Sequence, residues 1–158
     1  MAIGIGMGLG RFSLDKGPDY FKWIQQCEQG SVDSIWQTDR LISKEPNLET
    51  LSTMAAIAGA TDSMRFGMNV ASIALRDPLL TAKQCATIDF LSGGRLLPAF
   101  GIGSALSRDY TATGTPTQGR GKKADEALTL LRRLWTEEEV SFEGTFFNYD
   151  RASISPKP

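Results

Sequence analysis

Apolar and polar positions along this chain follow two alternating periods. Short apolar runs at Ile3–Met7, Val32–Trp36, Arg65–Ala71 and Leu96–Ile102 predict strands. Between them, three- and four-residue spacings predict amphipathic helices. Tyr20, Trp23, Ile24 and Cys27 share one face between Pro18 and Gly30, where Gly30 suits a helix stop. Leu48, Leu51, Met54, Ala55 and Ala58 share another, with Gly59 near its end. Asp77-Pro78 supplies an N-cap and a first-turn proline, and that helix runs to about Leu91 and stops at Gly93-Gly94. Pro98 removes a ladder donor from the fourth run. Lys122–Glu137 is a further helix, with Ala124, Leu128, Leu131 and Trp135 on one stripe.

The order is βαβαβαβ, a loop, then α, which predicts an α/β fold with a parallel sheet and right-handed crossovers. Val140–Tyr149 alternates around Glu143-Gly144 and predicts a hairpin. Ser155–Pro158 predicts an extended, frayed tail. Residues 1–158 are expected to form one domain, with 140–158 as hairpin and tail.

Composition narrows the chemistry. The formal net charge of −1 lacks the basic footprint that nucleic acid or an anionic membrane requires. No apolar run is long enough to cross a bilayer. Cys27 and Cys85 lie in apolar helical contexts and are expected to be buried free thiols, which suits a cytoplasmic protein. The chain has no histidine, which removes the commonest general base and most zinc sites. Chemistry must rest on carboxylates, Arg, Lys, Tyr, Ser or a bound cofactor, and no metal site is expected.

Parallel α/β folds bind ligands at the C-terminal ends of their strands. Here those ends are Met7–Gly10, Thr38-Asp39-Arg40, Asn69–Ser72 and Gly101–Ser104. Asp39 could accept from a heterocycle N–H or orient a substrate, and Arg40 could hold an anion or stabilise developing negative charge. The pair could equally be a local ion pair capping its loop. Gly101-Ile102-Gly103 would let backbone approach a flat ring or a phosphate, although it lacks the third glycine of a dinucleotide fingerprint. Ser72 and Ser104 are possible donors. Arg95 is expected to close the opposite end of the sheet by pairing with a carboxylate such as Asp89. The basic segment Gly119–Lys123 reads as a solvated loop or a phosphate contact, and Trp23, Trp135, Phe142, Phe146 and Phe147 read as core.

Several segments together resemble one family. They are Asp33–Leu41, Asp77-Pro78 with Ala82-Lys83, Ile88–Arg95, Phe100–Gly103, Gly121–Trp135 and Val140–Gly144. In this order they resemble the bacterial luciferase-like, flavin-dependent oxidoreductases, over essentially the whole chain. The resemblance implies a (β/α)8 TIM-type barrel that binds FMN or the deazaflavin coenzyme F-420 at its top. It implies a monooxygenase that uses O2 to oxidise a small organic substrate, or a deazaflavin-dependent oxidoreductase. It places Asp39 and Arg40 in the catalytic role and Gly8, Asn69, Val70, Ala71, Gly103 and Ser104 around the flavin, with a non-proline cis peptide at Asn69-Val70. Where the family commonly has Asp-His or Glu-His, this chain has Asp39-Arg40, so any base or stabilising role of that histidine is altered. Such a barrel needs roughly 200 residues or more, so these residues are expected to form about the first four βα units, a half barrel. A half barrel exposes parallel sheet edges, which predicts a homo-oligomer. The competing expectation is a non-catalytic module that completes its fold by assembly.

Overall fold

The structure, a computed structural model, describes residues 3–9 and 16–158. Gly10, the last residue of the first expected strand end, lies outside the described residues. Strand β1 (Gly6–Leu9) leads to helix α1 (Gly17–Gln29), strand β2 (Ser34–Gln37), helix α2 (Thr50–Ala60) and strand β3 (Arg65–Met68). A short strand β4 (Ala71–Ser72) precedes helix α3 (Pro78–Ser92). Strands β5 (Leu96–Leu97) and β6 (Phe100–Gly101), the short helix α4 (Arg108–Ala112) and helix α5 (Arg120–Thr136) follow, and strands β7 (Val140–Glu143) and β8 (Asn148–Ala152) form an antiparallel hairpin.

The main sheet has the order β1-β2-β3-β5, all parallel. Two of the expected strands are interrupted. Arg65–Ala71 breaks after Met68, where the Asn69-Val70 peptide bond is cis, and resumes as β4. Leu96–Ile102 breaks at Pro98-Ala99, where proline cannot donate, and resumes as β6. The two continuations pair with each other in parallel, and Ala71 N donates to Ala99 O at 2.9 Å across the break.

Local chemistry explains the helix ends. Asp77 Oδ1 accepts from Leu80 N at 2.9 Å, Pro78 opens the first turn, and Gly93 ends α3 in the left-handed region at φ 67°. Gly30 ends α1 differently. Its φ is −82°, and Ser31 takes the left-handed conformation at φ 58°. Glycine is needed at 30 because a Cβ there would lie 2.9 Å from Gln26 O.

One face of the sheet carries the core. Ile35, Phe66, Met68 and Leu96 pack against Ile24 of α1, Met54 and Ile57 of α2, and Cys85 and Ile88 of α3. A second cluster joins Ala82 and Ala86 of α3 to Leu130, Leu131 and Leu134 of α5 and to Val140. Trp23, Trp135, Phe142 and Phe147 pack against these clusters, while Phe146 is exposed. The other face of the sheet is nearly bare of side chains around Trp36, whose ring lies where a Cβ at Gly6 or Gly67 would project.

Two expectations need correction. Arg95 does not pair with Asp89. Its guanidinium donates to Ala58 O, Thr61 O, Met64 O and Thr61 Oγ1, its Nε donates to Ser92 O, and it covers the Phe66 ring at 5.5 Å. The unspent carbonyls at the end of α2 satisfy the forked donors better than one carboxylate could. The tail is not frayed either. Ile154 is buried, Lys83 Nζ donates to Ser155 O, and Lys157 Nζ donates to Leu134 O and Glu137 O, both at 2.6 Å, at the end of α5.

Candidate active site

The C-terminal ends of the strands are cross-braced by one carboxylate. Asp39, just past β2, accepts from Ser72 N at 2.8 Å. It also meets Arg76 in a two-pronged pair, Nη1 to Oδ2 at 2.7 Å and Nη2 to Oδ1 at 2.9 Å. Arg76 Nη1 further donates to Ser72 O at 3.2 Å, and Nη2 donates to Glu49 Oε1 at 3.1 Å. Glu49 also caps α2, accepting from Leu51 N and Ser52 N. Burial works to lower the Arg76 pKa, but the hydrogen bonds and charges of Asp39 and then Glu49 outweigh it, and the guanidinium is held more firmly protonated than usual. Burial works to raise the Glu49 pKa, but the Ser52 and Leu51 donors and Arg76 pull it below the ordinary carboxylate range. The partner of Asp39 is therefore Arg76, and the local Asp39-Arg40 ion pair is not formed.

Above this brace lies an open cavity of about 400 Å³. Asp39, Arg40, Ser72, Gly103 and Ser104 line it, so four of the expected site residues and Ser72 come together. Gly103 has φ 65°, and a Cβ there would meet Ser72 Oγ at 3.1 Å and the Tyr110 ring at 3.3 Å, so glycine gives this wall a close backbone edge. Tyr110 Oη donates to Ile102 O and fixes that edge from behind. Burial pushes the Tyr110 phenol pKa up.

The other expected residues do not line this cavity. Ala71 is fully buried. Asn69 is exposed, with its N–H donated to Gln37 O at 2.8 Å. Val70 is exposed on one side and packs against Gly101 on the other. Gly8 is exposed on β1 with open space where a Cβ would project. Among the described residues, no cluster of His, Cys, Asp or Glu could hold a metal ion.

Sequence reasoning missed Arg76, Arg108, Asp109 and Tyr110. Arg76 lies 37 positions from Asp39, and nothing local marks that pairing. The other three follow a serine N-cap, Ser107, whose Oγ accepts from Asp109 N at 3.2 Å, and that capping signal could have revealed α4.

A parallel α/β sheet with a ligand-sized cavity at its strand ends defines a class of α/β enzyme folds. Residues 13–158 match the luciferase-like monooxygenase family, and the chain belongs to that family. Among its relatives, F420-dependent glucose-6-phosphate dehydrogenase of Kineococcus radiotolerans is 30% identical over 141 residues, covering 84% of this chain and 41% of that protein. The crystal structure of monooxygenase RslO1 from Streptomyces bottropensis matches 98% of the chain and 50% of that protein, with a TM-score of 0.87 and 22% identity. The oxygenating constituent of 3,6-diketocamphane monooxygenase from Pseudomonas putida, in complex with FMN, matches 94% of the chain and 44% of that protein, with a TM-score of 0.81 and 17% identity. The two structural likenesses concern the fold. The chain spans half or less of the length of each of these proteins.

Proposed function

We propose that this chain carries the strand-end half of a flavin site in an FMN-dependent monooxygenase that oxidises a small organic substrate with O2. The observation that carries the reading is the cavity between Asp39, Ser72 and Gly103-Ser104, open on one side and walled by backbone on the other. A flat tricyclic ring needs such a wall, and the open space before Gly8 offers a second one. Bound FMN would supply the two-electron redox chemistry, which no side chain here can provide. Gly103, Ser104 and Ser72 would hold the ring edge, with Gly8, Asn69, Val70 and Ala71 as the neighbouring support. The Arg76 brace fixes Asp39 in place, so its role is to orient. Arg40, free of Asp39, would meet substrate.

The sheet of four parallel strand positions supports reading 1–158 as one domain and as half of a (β/α)8 barrel, closed by 140–158. Ile3 and Ile5 just before β1 and Met7 within it are exposed, which supports association through that edge in a cytoplasmic homo-oligomer. A deazaflavin-dependent oxidoreductase is the second reading, favoured by the F420-dependent name of the dehydrogenase relative.

Titration of the chain with FMN and, separately, coenzyme F-420, followed by flavin fluorescence, tests this. Saturable micromolar FMN binding is expected. Saturation by F-420 alone would move the assignment to the second reading. Binding of neither by the folded protein would leave the assembly module as the better description.

A further inference from the structure

We propose that Arg40 and Arg108 recognise an oxyanion head, a carboxylate, sulfonate or phosphate, on a substrate with an apolar body. This rests on the flavin-site reading of the same cavity and names the class of substrate it takes. The two arginines are far apart in sequence and are brought together by one hydrogen bond. Asp109 Oδ1 accepts from Ile42 N at 2.8 Å, joining the loop two residues after Arg40 to the helix turn one residue after Arg108. Asp109 is only 5% exposed, so this tether is shielded from water.

Both arginines line the 400 Å³ cavity and also a second one of about 410 Å³ that adjoins it beneath the loop 43–47. They are the charged residues common to the two. Neither guanidinium has a hydrogen bond or ion pair to another described residue, whereas that of Arg76 nearby is spent on Asp39 and Glu49. Asp39 and Asp109 also line the first cavity, but Asp39 is paired with Arg76 and Asp109 accepts from Ile42 N, so the two guanidiniums face the concavity with no carboxylate bonded to either, which favours a bound anion. Their forked donors match a two- or three-oxygen acceptor. Lys44 adds positive charge in the second cavity, with Glu45 opposing it. The first cavity carries the apolar wall, Ile42, Leu75 and Leu106, and Leu106 is 94% exposed at its mouth. An apolar body beside Gly103 with its charged end toward the second cavity satisfies both surfaces.

Octanoate and octanol serve as probes, titrated into the whole chain by calorimetry with and without FMN, in the parent and in Arg40→Gln and Arg108→Gln. Octanoate is expected to bind about tenfold more tightly than octanol, and each variant should remove most of that ratio. Equal binding of the two probes, or a ratio unchanged in both variants, overturns the proposal. The alternative source of an oxyanion is the cofactor's own phosphate. It is read from the FMN-to-riboflavin affinity ratio, and a fall in that ratio in the variants also overturns the proposal. Failure of the flavin reading is distinct, since it appears as unquenched flavin in a parent protein that still prefers octanoate, and that outcome leaves the anion site standing.

Discussion

Asp39 and Arg76 form a bidentate pair whose side chains are 2% and 11% exposed, linking the end of β2 to the start of α3. Breaking such a pair from one side leaves an uncompensated buried charge, which costs more than the intact pair contributes. Arg76→Met should therefore destabilise the protein by about 3 kcal/mol. Asp39→Asn still offers an oxygen to Ser72 N and should cost less, and the double variant should recover part of the loss. Urea unfolding of the four proteins in a double-mutant cycle measures the coupling. Strict additivity would show that the two side chains act independently.

Arg95 works at the opposite end of the sheet. It donates to the carbonyls of Ala58, Thr61, Met64 and Ser92 and lies over Phe66, so it caps α2 and joins it to β3. A lysine has the charge without the fork. Arg95→Lys should lose most of these bonds and cost about 2 kcal/mol. Hydrogen exchange should show the loss first at the end of α2, and an Arg95→Lys protein with unchanged protection there would refute the capping role.

These two arginines mark the boundary of what the sequence discloses. The helix starting at Asp77-Pro78 and ending at Gly93 is readable because each signal acts on backbone groups within a few positions. The strand ends that shape the cavity are readable because the βα order dictates them. The partner of Asp39 is 37 positions away, and the carbonyls that Arg95 meets are as far as 37 positions away. Local pattern pairs Asp39 with its neighbour Arg40, and only the packing of α3 against the sheet brings Arg76 in instead. The tail looks frayed for the same reason, since Lys157 finds its acceptors at Leu134 and Glu137 only once α5 is packed. Pro98 announces its strand break directly. The break at Asn69-Val70 follows from the family resemblance, and no local residue signal marks it.

Acid should loosen the join between α1 and β3. Glu28 at the end of α1 accepts from Asp62 N, Ser63 N, Met64 N and Ser63 Oγ. Burial raises its pKa, but these four donors together outweigh it and hold the carboxyl below its ordinary value of 4.5. A depressed folded-state pKa means stability that is present above about pH 4.5 and lost as pH falls through the folded value. The group is partly solvated, so its contribution is about 1 kcal/mol. Glu28→Gln should lower stability at pH 7 by that amount and narrow the gap from the parent at pH 3. A constant gap between pH 7 and pH 3 would rule the mechanism out.

Cys85 is 2% exposed and Cys27 6%, and both are free thiols. Burial pushes the Cys85 pKa up to about 12, with Arg76 lowering it only in part, and burial raises Cys27 as well. The thiolate is the reactive form, so neither should react readily in the folded protein. At pH 8 a disulfide reagent is expected to label both only at the rate of unfolding, with full labelling in denaturant. Rapid native labelling of Cys85 would contradict its place between α3 and the sheet.

Gly8 and Gly67 test the bare face of the sheet. They lie on the same face in one row across the parallel ladder, Gly8 opposite Trp36 and Trp36 opposite Gly67. A Cβ at Gly67 would meet the Leu97 carbonyl oxygen and approach the Trp36 ring at 2.7 Å, while a Cβ at Gly8 would meet nothing within 4 Å. Gly67→Ala must displace backbone and should cost about 3 kcal/mol. Gly8→Ala should change stability by about 0.5 kcal/mol or less. If the space before Gly8 receives the flavin, the same methyl group intrudes on the ring and FMN affinity should fall about tenfold. Thermal unfolding separates the two substitutions, and FMN titration of the stable Gly8→Ala protein then reads the role of Gly8 alone. An unchanged FMN affinity would move the ring away from β1 and toward the wall formed by Gly103 and Ser104.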